Sequence, residues 1–301
     1  EIQGLDLSSW RYAFNGAEPV SPDTLERFAQ RFAGYGLRAD AMAPVYGLAE
    51  AGVGLAFPPA GRGALIDCID RAPFTQAGQA RPVPCDQPGV LRIVACGRPL
   101  PGYQVRVVDP GGNPLSERRE GRLEFRGPSA TRGYYNNPQA TDRLYRGGWL
   151  DTGDRAYLAA GDVYLTGRVK DMIIRGGRNF YPYELEQAVG DLPGIRKGCV
   201  VAFATRDPDT ASERLVVVAE TRETGAAQLA LLRQAVLERS LDILALPPDE
   251  VLLVPPRTVL KTSSGKLRRV GTRDLYEQGR LLQRPRALWW RRCCQGWLPR
   301  R

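Results

Sequence analysis

Five short polar clusters carry the side chains of this 301-residue chain that could do chemistry. Each combines glycine with carboxylate, amide, hydroxyl or basic side chains, a composition typical of turns between regular elements. They lie at residues 15–19 (Asn-Gly-Ala-Glu-Pro), 46–51 (Tyr-Gly-Leu-Ala-Glu-Ala), 149–154 (Trp-Leu-Asp-Thr-Gly-Asp), 167–171 (Gly-Arg-Val-Lys-Asp) and 261–266 (Lys-Thr-Ser-Ser-Gly-Lys). Taken singly each is ordinary, because Gly-Asp pairs are common turns and Arg-Lys-Asp runs usually form solvated faces.

The chain contains no histidine. This excludes Ser-His-Asp and Cys-His nucleophiles, imidazole acid–base catalysis and His-ligated metals. None of the six cysteines forms a CxxC pair, so zinc ribbons and thioredoxin-type redox motifs are also excluded. In a long chain without a secretion pattern we expect reduced thiols and a cytoplasmic location.

Two segments partly resemble phosphate-binding motifs but lack residues that those motifs require. Residues 52–57 begin like the dinucleotide fingerprint but end on Phe57 instead of glycine. Residues 260–267 imitate a Walker A loop, but Leu260 replaces its first glycine and Leu267 its final Ser or Thr. Neither segment predicts a phosphate site of these types.

The net charge of +9 belongs mainly to the C-terminal tail, because residues 278–301 contain seven arginines and no acidic residue. The near-neutral body argues against a nucleic-acid partner. The tail also carries Trp289, Trp290 and Trp297. A tail that combines tryptophan with arginine could contact a membrane or RNA, or it could be a linker into a fused downstream domain.

Hydrophobic periodicity predicts the elements that must position the clusters. We predict helices at 21–33, 183–189 and 228–246, and strands at 103–109, 121–126, 155–159, 163–166, 199–203, 215–220 and 251–254. The Pro/Gly-rich stretch 53–102 predicts loops around short strands. The pattern changes near residue 170, which predicts a β-rich unit followed by a compact α+β domain.

Together and in this order, the clusters resemble the adenylate-forming enzymes, the superfamily of acyl-CoA synthetases, luciferases and peptide-synthetase adenylation domains. Residues 15–19, 46–51 and 173–182 are most similar to fatty-acyl-AMP ligases, and the resemblance covers roughly residues 5–278. It implies an α/β and α+β fold with three parts: 1–169, the β-rich C-terminal part of the large AMP-binding domain; 170–280, the small swinging C-terminal domain; and 281–301, a basic tail or linker.

The resemblance implies ATP-dependent activation of a fatty acid to an acyl-adenylate, followed by transfer to a phosphopantetheine thiol. Such chemistry requires the protein to align two anions and neutralise developing charge. The implied nucleotide-binding residues are Gly16, Ala17 and Glu18 around the adenine, Tyr46 stacked on it beside Gly47, Asp154 on the ribose hydroxyls, and Arg168 near the ribose or phosphate.

Three further roles follow from the same resemblance. Glu50 is implied as the Mg²⁺ ligand, since a carboxylate is a hard oxygen donor. Lys170 is implied as the hinge about which the small domain rotates. Lys266 is implied as the catalytic residue that reaches the substrate carboxylate and the α-phosphate, while its neighbours Lys261, Arg268 and Arg269 are expected to be solvated.

The sequence also departs from the superfamily pattern. Ala49 stands where a threonine is usual, although fatty-acyl-AMP ligases tolerate alanine there. The Ser/Thr/Gly-rich loop that holds the β- and γ-phosphates has no counterpart here, so we expect the chain alone to be inactive, as the C-terminal part of an enzyme.

A carrier protein is favoured over CoA as acceptor, because residues 51–96 could house the insertion that marks fatty-acyl-AMP ligases. The alternatives are an acyl-CoA synthetase, a non-catalytic remnant that binds nucleotide or a carrier protein, and an RNA- or membrane-binding protein acting through its tail.

Overall fold

A computed structural model describes residues 2–175, 178–206 and 213–282. Two compact units divide the chain, one ending at Tyr181 and the other beginning at Pro182. Helices and strands occur together, which confirms the predicted α/β and α+β class. The unit boundary follows the hairpin after Lys170, whereas a domain boundary at 169/170 remains a prediction about which parts move. Residues 283–301 of the predicted tail lie outside the described residues.

The first unit is rich in strands. Its described helices are α1 (Pro22–Ala33), α2 (Arg71–Ala77) and α3 (Pro138–Leu144). Its described strands are β1 (Ala13–Asn15), β2 (Met42–Pro44), β3 (Ala56–Phe57), β4 (Ile66–Asp70), β5 (Val90–Val94), β6 (Arg98–Pro99), β7 (Gln104–Val108), β8 (Gly121–Arg126), β9 (Tyr145–Arg146), β10 (Trp149–Ala159), β11 (Asp162–Arg168), β12 (Ile173–Arg175) and β13 (Arg178–Phe180).

A five-stranded antiparallel sheet forms the largest layer of this unit. Its strands follow the order β11-β10-β8-β7, and β9 pairs with part of β10. Alternate residues of β8 face opposite sides, so Leu123 and Phe125 are buried in a core cluster that also contains Ala156 and Val163. The predicted hairpin at 155–166 is confirmed, with longer strands.

Local signals explain the predicted helix α1 and also α2, which is one of three described helices, with α3 and α6 (Arg269–Glu277), that the sequence analysis did not predict. The Ser21 side chain accepts from the Thr24 amide at 3.4 Å and Pro22 opens α1, as predicted. Within 53–102, α2 is capped by Asp70 and ends at Gly78, which has φ +63°. Seven residues containing a proline are too few to show a helical period.

A disulfide joins Cys68, in β4, to Cys85. The expectation that all cysteines are reduced was therefore wrong for this pair. Their sequence separation of 17 matches no motif, and only the packing of the loop after β4 brings them together. Cys96 and Cys199 are buried free thiols, and desolvation raises the pKa of Cys96 to about 12.

The second unit places helices around a three-stranded sheet. Its described elements are α4 (Pro182–Gly190), β14 (Ile195–Arg206), β15 (Glu213–Thr221), α5 (Ala226–Leu244), β16 (Glu250–Val254) and α6 (Arg269–Glu277). β14 and β15 are antiparallel, whereas β15 and β16 are parallel and are connected through α5. The predicted strands and α5 are confirmed, and the buried Ser240 donates to the Val236 carbonyl at 2.7 Å.

The expectation that Arg269 is solvated was wrong. Its guanidinium binds both oxygens of the buried Glu186 carboxylate at 2.8 and 2.6 Å. Glu186 also accepts from the Ala202 amide at 3.1 Å, so the pair links α6, α4 and β14. Among the described helices, none combines the length and the apolar character that crossing a membrane requires.

Candidate functional site

Two of the predicted clusters meet where β1 and β2 end. These strands are parallel, with Asn15 beside Pro44, and the Val45 amide donates to the Asn15 carbonyl at 2.8 Å. The chain continues from β1 into residues 16–18 and from β2 into residues 45–47. Since the carboxyl ends of parallel strands share one edge, the adenine-site candidates Gly16, Ala17, Glu18, Tyr46 and Gly47 come together there.

Close backbone packing explains the two glycines at this edge. A Cβ on Gly16 would lie 2.7 Å from the Val45 carbonyl oxygen, and one on Gly47 would lie 1.5 Å from that of Val53. Ala17 adopts φ +70°, a conformation that L-residues rarely take. Strain of this kind is frequent at ligand sites.

Tyr46, Asp154 and Arg168, which come from three of the predicted clusters, form one polar group in the first unit. The Tyr46 hydroxyl donates to Asp154 Oδ2 at 2.6 Å, and Arg168 Nε lies 3.3 Å from Oδ1. The Tyr46 ring packs in the same core cluster as Leu55 and Phe125 and is only 7% exposed. Its predicted stacking on adenine is therefore confined to the small part of the ring that reaches the surface.

An irregular stretch of β10 places the Asp154 carboxylate. The pairing of β10 with β8 shifts between Asp151 and Arg155, and Gly153 has φ +72°. The Thr152 hydroxyl donates to the Leu123 carbonyl at 2.8 Å and accepts from the Asp154 amide at 3.1 Å. A bulge of this kind re-aims a side chain without ending the sheet.

Burial governs the charges of this group. Desolvation raises the pKa of Asp154, although the hydrogen bond from Tyr46 and the charge of Arg168 act in the opposite direction. The pKa of the Tyr46 hydroxyl is also raised, first by burial and then by the adjacent carboxylate. Tyr46 therefore stays protonated and donates its hydroxyl hydrogen to Asp154 Oδ2.

Glu50 lies in a 3-10 turn at Ala49–Ala51 that follows β2. Its Oε1 accepts from the Tyr134 hydroxyl at 2.6 Å, and its backbone carbonyl accepts from the Thr131 amide at 2.8 Å. Sequence reasoning missed Tyr134. The Gly133-Tyr134-Tyr135 segment contains no spacing that would distinguish it from an ordinary exposed loop.

The two predicted lysines lie in different compact units. Lys170 is exposed in the 3-10 turn Val169–Asp171 of the first unit. In the second unit, Lys266 is half-buried in a tight loop whose Lys261 and Leu267 pair across it. The Lys266 amide donates to Thr262 Oγ1 at 3.0 Å, and Gly265 has φ +90°, so the loop backbone is well defined.

Residues 1–135 match the family model of the AMP-binding enzymes. Residues 1–135 therefore belong to an AMP-binding enzyme domain. The match covers the edge of β1 and β2, the Glu50 turn and strands β7 and β8 of the antiparallel sheet, so it includes the site candidates up to Tyr134 but not Asp154 or Arg168.

Curated relatives of this chain agree with the family match. The chain is 33% identical to a medium-chain-fatty-acid–[acyl-carrier-protein] ligase, JamA, of Moorena producens, over 93% of this chain and 49% of that protein. It is 32% identical to a long-chain-fatty-acid–AMP ligase, FadD26, of Mycobacterium marinum, over 92% of this chain and 49% of that protein. A solved structure from work on fatty acyl-adenylate ligases of E. coli and L. pneumophila matches with a TM-score of 0.83 and 32% sequence identity. The match covers 91% of this chain and 49% of the solved chain. This chain thus spans about half the length of the relatives it matches.

Proposed function

We propose that the protein containing this chain activates a fatty acid with ATP and then transfers the acyl group to a phosphopantetheine thiol. In the first step a carboxylate oxygen of the fatty acid attacks the α-phosphorus of ATP. The bond from that phosphorus to the oxygen bridging to the β-phosphate breaks, and pyrophosphate leaves with the electron pair. In the second step the thiolate attacks the acyl carbonyl carbon, AMP leaves, and the proton of the thiol passes to solvent.

The Tyr46–Asp154–Arg168 group carries this proposal. A carboxylate oxygen has two acceptor lone pairs, so each Asp154 oxygen can accept a ribose hydroxyl while keeping its present partner. The parallel pairing of β1 and β2 brings residues 16–18 next to Tyr46 and Gly47, where they would border a bound base. These features support a nucleoside monophosphate site built from Gly16, Ala17, Glu18, Tyr46, Gly47, Asp154 and Arg168.

The residues of the first unit also fit a magnesium ion. Within the described ranges, no cluster of three or more His, Cys, Asp and Glu residues could form an all-protein metal cage. Mg²⁺ is often held instead by one or two carboxylates together with substrate phosphates. Glu50 would be that carboxylate, and the bound ion would neutralise phosphate charge.

Lys266 would neutralise charge where the two anionic reactants meet. A lysine ammonium is a compact charge on a flexible stem, which suits contact with a carboxylate and an α-phosphate together. We propose Lys170 as the hinge that lets the small domain present this loop. Its exposed position between β11 and β12 supports that role, because the Lys170 side chain itself would not obstruct rotation of the backbone.

Pyrophosphate exchange tests the first step directly. We expect the protein that contains this chain to incorporate labelled pyrophosphate into ATP in a fatty-acid-dependent manner, with Mg²⁺ present. Calorimetry with AMP on the 301-residue chain tests the nucleotide site separately. AMP binding without exchange would favour the non-catalytic remnant, whereas the absence of both would contradict the proposal.

A further inference from the structure

We propose that Tyr134 is a positioning residue for the Glu50 carboxylate and thereby controls the affinity of the cation site. This inference rests on the proposed function, in which Glu50 binds Mg²⁺. The Tyr134 hydroxyl donates to Glu50 Oε1 at 2.6 Å. Among the described residues, Oε2 has no hydrogen-bond partner, so one oxygen is fixed while the other is free to bind a cation.

The segment that carries Tyr134 also holds the backbone of the Glu50 turn. The Thr131 amide donates to the Glu50 carbonyl at 2.8 Å, and the Ser129 hydroxyl donates to the Ala51 carbonyl at 2.5 Å. Residues 129–134 therefore contact the turn through both backbone and side chains. The carboxylate is presented in one orientation before any ligand binds.

Tyr134 is itself held in place by the start of α3. Its amide donates to Thr141 Oγ1 at 2.9 Å, and its carbonyl accepts from the Asn137 amide at 3.2 Å. A Cβ on Gly133 would lie 2.6 Å from Thr141 Cγ2, so this close approach requires glycine. The phenol is exposed, at 41%, yet its backbone is fixed from both sides.

Hydrogen bonds to ligating carboxylates fix their orientation, and their removal typically weakens metal binding by about 10- to 100-fold. The variant Tyr134→Phe removes only the hydroxyl. Tyr135→Phe is its matched control, because Tyr135 is the next residue and is 93% exposed. Titration of the 301-residue chain with Mn²⁺ in the presence of ATP, followed by electron paramagnetic resonance, measures cation binding independently of catalysis.

We expect Tyr134→Phe to weaken Mn²⁺ binding by about tenfold. Tyr135→Phe should match the wild type, and AMP binding without metal should be unchanged in both. Glu50→Gln should abolish the same Mn²⁺ signal. Unchanged Mn²⁺ affinity in Tyr134→Phe, with loss in Glu50→Gln, would overturn the positioning role alone.

Other results would distinguish a failure of the underlying proposal. Normal Mn²⁺ binding in Glu50→Gln would contradict both the cation site and the role of Tyr134. Equal losses of AMP and Mn²⁺ binding in Tyr134→Phe would mean that the hydroxyl supports the loop in general, and would overturn the specific role. A second variant, Ser129→Ala, should weaken Mn²⁺ binding less than Tyr134→Phe, because it touches the turn but not the carboxylate.

Discussion

At Asp154, burial and hydrogen bonding act on one carboxylate in opposite directions. Desolvation dominates and raises its pKa, while Tyr46 and Arg168 favour the ionised form. Arg168 is largely exposed, so solvent screens its contribution. The buried hydrogen bond from Tyr46 is therefore the contact that best fixes this carboxylate for ribose recognition.

The variant Asp154→Asn should lose nucleotide affinity without losing stability. Hydrogen bonds to a charged acceptor contribute about 1.5–3 kcal/mol, so we expect AMP binding to weaken by at least about tenfold, measured by calorimetry. The raised pKa means that the folded state disfavours the carboxylate. Its contribution to the free energy of unfolding is therefore full below about pH 3.9 and is lost as pH rises through the folded-state pKa.

Asparagine carries no such charge, so thermal unfolding at pH 7 should occur at an equal or higher temperature in Asp154→Asn. Asp86→Asn is the control, because Asp86 is an exposed loop residue. Wild-type AMP affinity in Asp154→Asn would show that the ribose lies elsewhere.

Lys266→Ala should abolish adenylate formation in the protein that contains this chain. The ammonium group is proposed to neutralise two anions, and alanine leaves that charge unbalanced. The loop should persist, because its hydrogen bonds use the Lys266 backbone and Thr262. Pyrophosphate exchange is the measurement, with Lys261→Ala as control on the same loop. Near-normal exchange in Lys266→Ala would remove this residue from catalysis.

At the scale of elements, periodicity and caps predicted most of the regular structure. Ser21 and Pro22 predicted the start of α1, and the apolar runs around Val201 and Val217 predicted two buried strands. These signals are local, because each depends on a few neighbouring residues. The same local character let residues 15–19 and 46–51 be recognised, although only the parallel pairing of β1 with β2 brings them together.

Features that depend on distant partners were missed. Cys68 and Cys85 pair only after the loop folds, and α2 is too short to show a period. Tyr134 contacts Glu50 across 84 residues, and Arg269 contacts Glu186 across 83. Side chains that meet over such separations leave no spacing signal in one sequence.

The Glu186–Arg269 pair is expected to stabilise the second unit. Removing one partner of a buried ion pair typically costs about 3–5 kcal/mol, because the remaining charge stays buried without compensation. Arg269→Ala should therefore speed hydrogen exchange of the amides of β14 and β15. Arg268→Ala is the matched control, because Arg268 is exposed and adjacent. Equal protection in both variants would mean that water or rearrangement replaces the guanidinium.

For the whole molecule, the proposed chemistry is divided between two compact units. The nucleotide and cation candidates belong to the first, which ends at Tyr181, and Lys266 belongs to the second. Tyr181 is anchored in the first unit, since its hydroxyl donates to the buried Glu120, which also accepts from Arg155. If the chain after Lys170 rotates, the hydrogen bond between Tyr181 and Glu120 must break. Rotation about the proposed hinge therefore requires the free energy of that contact.

The acceptor of the acyl group is the prediction that depends on the protein as a whole. In CoA the phosphopantetheine arm is attached to a nucleotide, whereas in a carrier protein the same arm is attached to a folded domain. The enzyme can therefore recognise a nucleotide in the first case and a protein surface in the second. Residues 51–96, where the resemblance leaves room for an insertion, are ordered here by β3, β4, α2 and β5 and by the Cys68–Cys85 disulfide. We take this segment as the candidate insertion on which the preference for a carrier protein rests.

We therefore expect the protein that contains this chain, supplied with a fatty acid, ATP and Mg²⁺, to acylate a phosphopantetheinylated carrier protein faster than CoA. Mass spectrometry of both thioesters in one competition assay measures the ratio. The carrier without its phosphopantetheine arm is the control and should gain no acyl group, because it has no thiol. Robust acyl-CoA formation with little acyl-carrier would reverse the assignment and make CoA the acceptor, while leaving the adenylation step intact.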